Sequence, residues 1–134
     1  MTASRTIKVV AALIRDNAGR VLLVRKRGTT AFMQPGGKLD AGEDDVTALS
    51  REISEELGCV VVRSSVRPLG AFDAIAANEP GFRVQASVYG VDVIGEISPR
   101  LEIDEAIWVD PASPPDIHLA PLTRDHLLPL ALQL

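Results

Sequence analysis

The stretch from Gly36 to Cys59, GGKLDAGEDDVTALSREISEELGC, constrains this chain more than any other. It opens on a glycine pair, gathers acidic residues where a helix should begin, and ends on two helical turns that carry Glu52, Glu55 and Glu56. A helix rotates by about 100° per residue, so positions i, i+3 and i+4 lie on one side and the three carboxylates are expected to converge. Val46, Leu49, Ile53 and Leu57 form a second stripe turned away from the acids, at the spacing of a face that packs on a core. One face packs and the other binds.

Like charges at neighbouring helical positions destabilise a helix by roughly 0.2–0.5 kcal/mol per pair. Such a cluster calls for a cation. Hard divalent ions take oxygen ligands, and magnesium is commonly held by a few carboxylates together with water and substrate phosphate oxygens. Asp44 and Asp45 have a separate explanation, because acids in a first turn complement the helix dipole. Gly36 and Gly37 read as a turn that lets the main chain approach an ion or phosphate closely, and Gly42 has the same freedom just ahead of the helix. Gly37 and Gly42 also have the spacing of a phosphate-binding P-loop, but Glu43-Asp44 follows where Lys-Ser or Lys-Thr is required, so that reading fails.

The rest of the chain reads mostly as strands. Thr6 to Ile14 is apolar on both alternate faces, the mark of a strand covered on both sides, and Asn17-Ala18-Gly19 turns it into Val21 to Val24 as a hairpin. Ala31 to Gln34 is a short segment before the glycines. Val60 to Val62, Leu69 to Ile75 (with Arg67-Pro68 as an interruption), Phe82 to Tyr89 and Ala106 to Val109 are further strands, with a bulge expected at Gly90 where the apolar phase shifts. Pro111 to Pro115 is a loop, and Leu122 to Leu132 reads as a helix despite Pro129. The expected architecture is α/β, a mixed β-sheet flanked by helices, in one domain spanning residues 1–134.

Charge and composition exclude several classes of function. A formal net charge of −4 gives no broad basic surface for gripping nucleic-acid polymers, though a small phosphorylated ligand needs only a local basic patch. Cys59 is the single cysteine, so neither a disulfide nor a multi-thiolate zinc site can be drawn, and it reads as a half-buried core residue. The apolar run at Val9 to Ile14 stops at Arg15-Asp16, too short for a signal sequence or a membrane span, and the expected location is the cytoplasm.

Gly37, five residues, Glu43, seven residues, then Arg51-Glu52-Ile53-Ser54-Glu55-Glu56-Leu57-Gly58-Cys59 resembles the Nudix box, the signature of Nudix hydrolases. Every charged and glycine position of that pattern is filled. The one departure is Cys59, where the family prefers a larger aliphatic residue at a packing position. The resemblance implies a Nudix-type α/β/α sandwich and metal-dependent hydrolysis of a diphosphate bond in a nucleoside diphosphate derivative, with Mg2+ or Mn2+. Carried over by position, Glu52, Glu55 and Glu56 match the metal-binding glutamates and the carbonyl of Gly37 a backbone ligand. Arg51 and Glu43 match residues that brace the loop and orient the glutamates.

Other assignments stay open at this level. Glu102 and Glu105, in the acidic run ahead of Trp108, are candidates for the general base or an additional metal ligand, with a solvated acidic loop as the alternative. Arg27 and Lys38 fit a phosphate clamp or ordinary surface charge equally well. Trp108 reads as core, and His118 and His126, without partner motifs, as non-catalytic. A non-catalytic Nudix-fold sensor of a nucleotide or sugar phosphate is the alternative to an enzyme, and such relatives usually lack box glutamates. The Pro35-Gly36-Gly37-Lys38 turn and the short length resemble the branch acting on (d)NTPs and oxidised nucleotides. A homodimer is compatible with the family.

Overall fold

The computed structural model describes residues 5–134; the first four residues of the expected domain lie outside it. Its organising strand is β1 (Arg5–Leu13), whose last four residues are all buried. β1 lies parallel to β7 (Phe82–Gly90) along its full length, from Arg5 opposite Phe82 to Leu13 opposite Gly90. On its other side it pairs antiparallel with β4 (Gly36–Lys38), and β6 (Arg67–Ile75) closes the far edge, giving the order β4-β1-β7-β6. Parallel and antiparallel neighbours in one sheet make it mixed.

The expected hairpin forms only at its tip. Leu22 donates its amide to the Ile14 carbonyl and Arg15 bridges Val21, but β2 (Val21–Lys26) then leaves to pair with β3 (Phe32–Met33) and β9 (Ile103–Val109) in a second sheet. The strands diverge because each finds a longer partner elsewhere. β5 (Val60–Val61) and β8 (Val93–Ile94) form a third, two-stranded ribbon.

Alternation along β1 and β2 divides the core into two layers. Val10, Ala12, Ile14, Leu22 and Val24 face α1 (Asp45–Leu57), against its Ala48, Leu49, Ile53 and Leu57. Ala11, Leu13, Val21 and Leu23 face the opposite way, onto Leu122, Leu127, Leu128 and Ala131 of the C-terminal helix. Side chains of period two thus serve helices on both sides, which produces the α/β/α sandwich. Each fully buried leucine or isoleucine of α1 contributes roughly 1.5–3 kcal/mol of burial.

Several local expectations change. The glycine pair is the strand β4 and not a turn. Gly36 adopts φ +147°, and a Cβ there would collide with the Val10 carbonyl, so the close pairing with β1 depends on glycine. Arg67 and Pro68 begin β6 and do not interrupt it, and the irregularity of that pairing lies between Pro68 and Gly70, not at Gly90. The shift of apolar phase beyond Gly90 marks the chain leaving the sheet to build β8. Cys59 is fully buried, not half-buried. The C-terminal helix contains a π-helical segment, Thr123–Leu127, before α2 (Leu128–Ala131), where Pro129 sits in the first turn and its missing N–H costs least. Trp108 packs against the α1 layer, Phe72 stacks near His126, and the His118 ring is hydrogen-bonded to Thr30.

Candidate active site

α1 is positioned by its ends. Asp44 caps its N-terminus, accepting from the Thr47 amide, and Gly58 ends it in the left-handed conformation at φ +69°. Asp45 accepts a hydrogen bond from the Tyr89 hydroxyl, tying the first turn to β7. With both ends held and the apolar stripe packed, the acidic face meets the ends of β1 and β4.

There Glu56 is 3% exposed, and its Oε1 accepts the Gly36 amide at 3.1 Å. Burial pushes its carboxyl up to about 8, with the neighbouring Glu52 adding to the rise and the Gly36 amide opposing it. Glu52 is also raised by burial. It lies so close to Gly37 that a Cβ on that glycine would stand 2.6 Å from the carboxylate carbon. A side chain at 37 would therefore displace the Glu52 carboxylate.

Arg51 joins the loop to the helix. Its guanidinium makes two 2.8 Å bonds to Glu43, donates to Glu52 at 2.9 Å and to Glu55 at 3.3 Å, and reaches the Lys38 carbonyl at 3.1 Å. This fork holds the Glu43 carboxyl down to about 2. Glu55, 45% exposed at its side chain, is turned along the helix surface toward Arg51. The tips of the three glutamates are consequently spread, and among the described residues no cluster of three acidic, histidine or cysteine side chains is closed tightly enough to grip an ion as it stands.

Glu52 and Glu56 open into a cavity of about 340 Å³. By chemistry the lining divides into a charged part, with Gly36, Gly37, Lys26, Lys38 and Glu102, and a mostly apolar part, with Ile75, Ala76, Ala77, Ala120, Leu122 and Thr123. Of the residues expected from sequence, Gly37, Lys38, Glu52, Glu56 and Glu102 meet here. Three do not. Arg27 is exposed in the turn after β2, and Lys26, the last residue of that strand, takes the cavity wall. Glu105 stands opposite Arg25 across the β2–β9 pair and binds it at 3.2 Å, away from the cavity. Glu55, bonded to Arg51, does not line the cavity. Glu102 instead faces Lys26, with 3.7 Å between Oε1 and Nζ.

Beyond this geometry, a family model, the NUDIX domain, matches residues 5–130. The chain belongs to the NUDIX family. Among solved structures, this NUDIX chain is similar to a MutT NUDIX hydrolase from Burkholderia pseudomallei, with 27% identity and a TM-score of 0.75 over 96% of this chain and 97% of that one. A MutT protein from Methanosarcina mazei Go1 has a TM-score of 0.76 at 23% identity, over 99% and 95% of the two chains, and shares the fold. Among curated proteins, an 8-oxo-dGTP diphosphatase of Haemophilus influenzae is 38% identical over 66 residues, 46% of this chain and 48% of that protein. The match therefore spans about half the length of that relative.

From the sequence of the NUDIX chain, recognition of the attached group is expected from the loops at Arg27, Ala74 to Gly81 and Pro111 to Pro115; Ile75 to Glu79 of the second do line the cavity, whereas Gln34 and the start of the C-terminal helix were not foreseen. Gln34, Asn78 and Thr123 carry the polar groups of the mostly apolar part, and they come from three segments far apart in the chain. Of the two unforeseen contributions, Gln34 alone gave a signal, a polar residue in an otherwise apolar segment.

Proposed function

We propose that this protein hydrolyses a diphosphate bond in a nucleoside diphosphate derivative, a (d)NTP or an oxidised nucleotide, by attack of water at phosphorus. The observation that carries this reading is the junction of Glu52 and Glu56 with Gly36 and Gly37 in the charged part of a cavity also lined by Lys26 and Lys38. The Haemophilus relative, an 8-oxo-dGTP diphosphatase, supports the choice of an oxidised nucleotide.

The donor set fits a hard divalent cation, Mg2+ or Mn2+, because it consists of carboxylate oxygens and a main-chain carbonyl beside a glycine without a Cβ to obstruct it. Glu52, Glu55, Glu56 and Gly37 would hold the ion, drawing Glu52 and Glu55 partly away from Arg51. When bound, it supplies charge neutralisation at the phosphate oxygens and lowers the pKa of a water molecule. Lys26 and Lys38 add compact positive charge in the same part of the lining. Glu102, on the cavity wall, takes the proton from the attacking water, a role closed to Glu105 by its bond to Arg25. Arg51 and Glu43 hold the loop against the helix. The reading takes residues 1–134 as one domain working on small nucleotides in the cytoplasm, not on nucleic-acid polymers, alone or as a homodimer.

The test is a panel of nucleoside triphosphates, oxidised nucleotides and nucleotide sugars with Mg2+ or Mn2+, followed by release of phosphate or pyrophosphate. Turnover abolished by chelator and restored by the ion is expected. Nucleotide binding without any product would replace the enzyme by a sensor.

A further inference from the structure

Phosphate chemistry accounts for the charged part of the cavity lining and leaves the apolar part unexplained. That part is supplied by the residues after β6 and the start of the C-terminal helix, together with Gln34. None of the residues lining the cavity is aromatic, so a base entering it finds no stacking platform. Its orientation must come from hydrogen bonds.

Gln34 is 6% exposed and only half satisfied. Its Oε1 accepts from the Thr123 hydroxyl at 2.8 Å, while its Nε2, shielded from solvent, has no partner. A buried donor without an acceptor is costly, and folded proteins seldom keep one without a use. With Oε1 held by the Thr123 hydroxyl, Nε2 is the end of the amide left for a ligand. The side chain lines the cavity, so a modest rotation of the kind common at binding sites brings Nε2 to an incoming acceptor.

We propose that Gln34 determines base specificity, its Nε2 donating to a carbonyl oxygen on the base of the bound nucleotide, with Thr123 as the positioning residue. The inference rests on the nucleotide reading above and extends it to the class of base. An amino group at the contacted position would set donor against donor and leave both buried and unpaired, so oxo-bases are retained and amino-bases rejected.

The experiment measures binding of IMP against AMP and of UMP against CMP by calorimetry, alongside turnover of the matching triphosphates with Mg2+. Within each pair the ring is the same size and an oxo group is exchanged for an amino group. At least one oxo member is expected to bind roughly tenfold or more tightly than its amino counterpart. Gln34→Met should level that ratio, chiefly by weakening the oxo member, and Thr123→Val should narrow it. Equal affinities within both pairs, preference for the amino members, a ratio unchanged in Gln34→Met, or no binding at millimolar concentration would overturn the proposal. If Gln34→Met does not fold, the wild-type ratios and Thr123→Val decide it. Discrimination among monophosphates without cleavage of any triphosphate would sink the hydrolase reading and leave Gln34 in place; cleavage without discrimination would do the reverse.

Discussion

The two parts of the cavity lining are built in different ways. The charged part draws Gly36, Gly37, Lys38, Glu52 and Glu56 from one continuous stretch, related by helical spacing and by the close approach of β4 to α1, and adds Lys26 and Glu102 from elsewhere in the chain. The apolar part draws its wall from the segment before β4, the residues after β6 and the start of the C-terminal helix, which meet only because the two sheets splay apart after Ile14. The carboxylate set on the helix is thus encoded locally, while the other groups around the bond, and recognition of what the bond is attached to, are encoded by tertiary packing. Substitutions should separate the two parts, with losses of turnover in the first and losses of affinity in the second.

The largest expected effect concerns Glu56. Its folded-state value near 8 lies above the ordinary 4.5 of an exposed glutamate, so the folded protein holds this proton more tightly than the unfolded chain. The resulting stability is whole below about pH 4.5 and is lost as pH rises through about 8, with a limit of roughly 5 kcal/mol. Denaturant unfolding of the chelator-treated protein between pH 5 and pH 9 measures it, and Glu56→Gln should remove most of the slope. A slope unchanged in that variant would mean that burial of Glu56 is not its origin.

Next in size, Glu52→Gln should lower turnover by roughly 10³-fold, the scale of losing a group that stabilises charge in the transition state, with the protein still folded by circular dichroism. Activity within tenfold of wild type would remove the charged part from the mechanism. In the apolar part, Ala76→Leu narrows the space for the base and should raise KM by about tenfold while changing kcat little. A loss confined to kcat would break the division of labour between the two parts. The smallest effects are expected at Arg27→Ala and Glu105→Gln, each within about threefold of wild-type kcat/KM, because neither side chain reaches the cavity. A large loss in Glu105→Gln would return that residue to the general-base role and displace Glu102.

Legibility followed the same division. The helix from Asp45 to Leu57 and its two faces could be read directly, since each depends on residues within a few turns, whereas Asp44, expected as a dipole partner in the first turn, is the N-cap. Glu43 and Arg51 stood at the right spacing, although only the structure shows the fork that links them to Glu52, Glu55 and the Lys38 carbonyl. The choice between Lys26 and Arg27 was beyond sequence reading, because it turns on strand phase at the bulge between Arg25 and Lys26, a one-residue matter. Glu102 and Glu105 were equivalent in the sequence for the same reason; the pairing of β2 with β9 gave Glu105 to Arg25. The Gly36-Gly37 pair misled because glycine serves tight strand approach as readily as a turn.

By itself the sequence determined the alternation that makes β1 a strand covered on both faces, the amphipathic helix beside it, and the set of carboxylates that helix presents. These are consequences of period two and period 3.6, and they need no knowledge of distant contacts. Tertiary structure decided the separation of β1 and β2 into different sheets, the burial that raises Glu56, the spread of the glutamate tips toward Arg51 and the meeting of Gln34 with Thr123. Each of these depends on which segments far apart in the chain exclude water from one another, and pairing over such distances is settled only when the whole core closes.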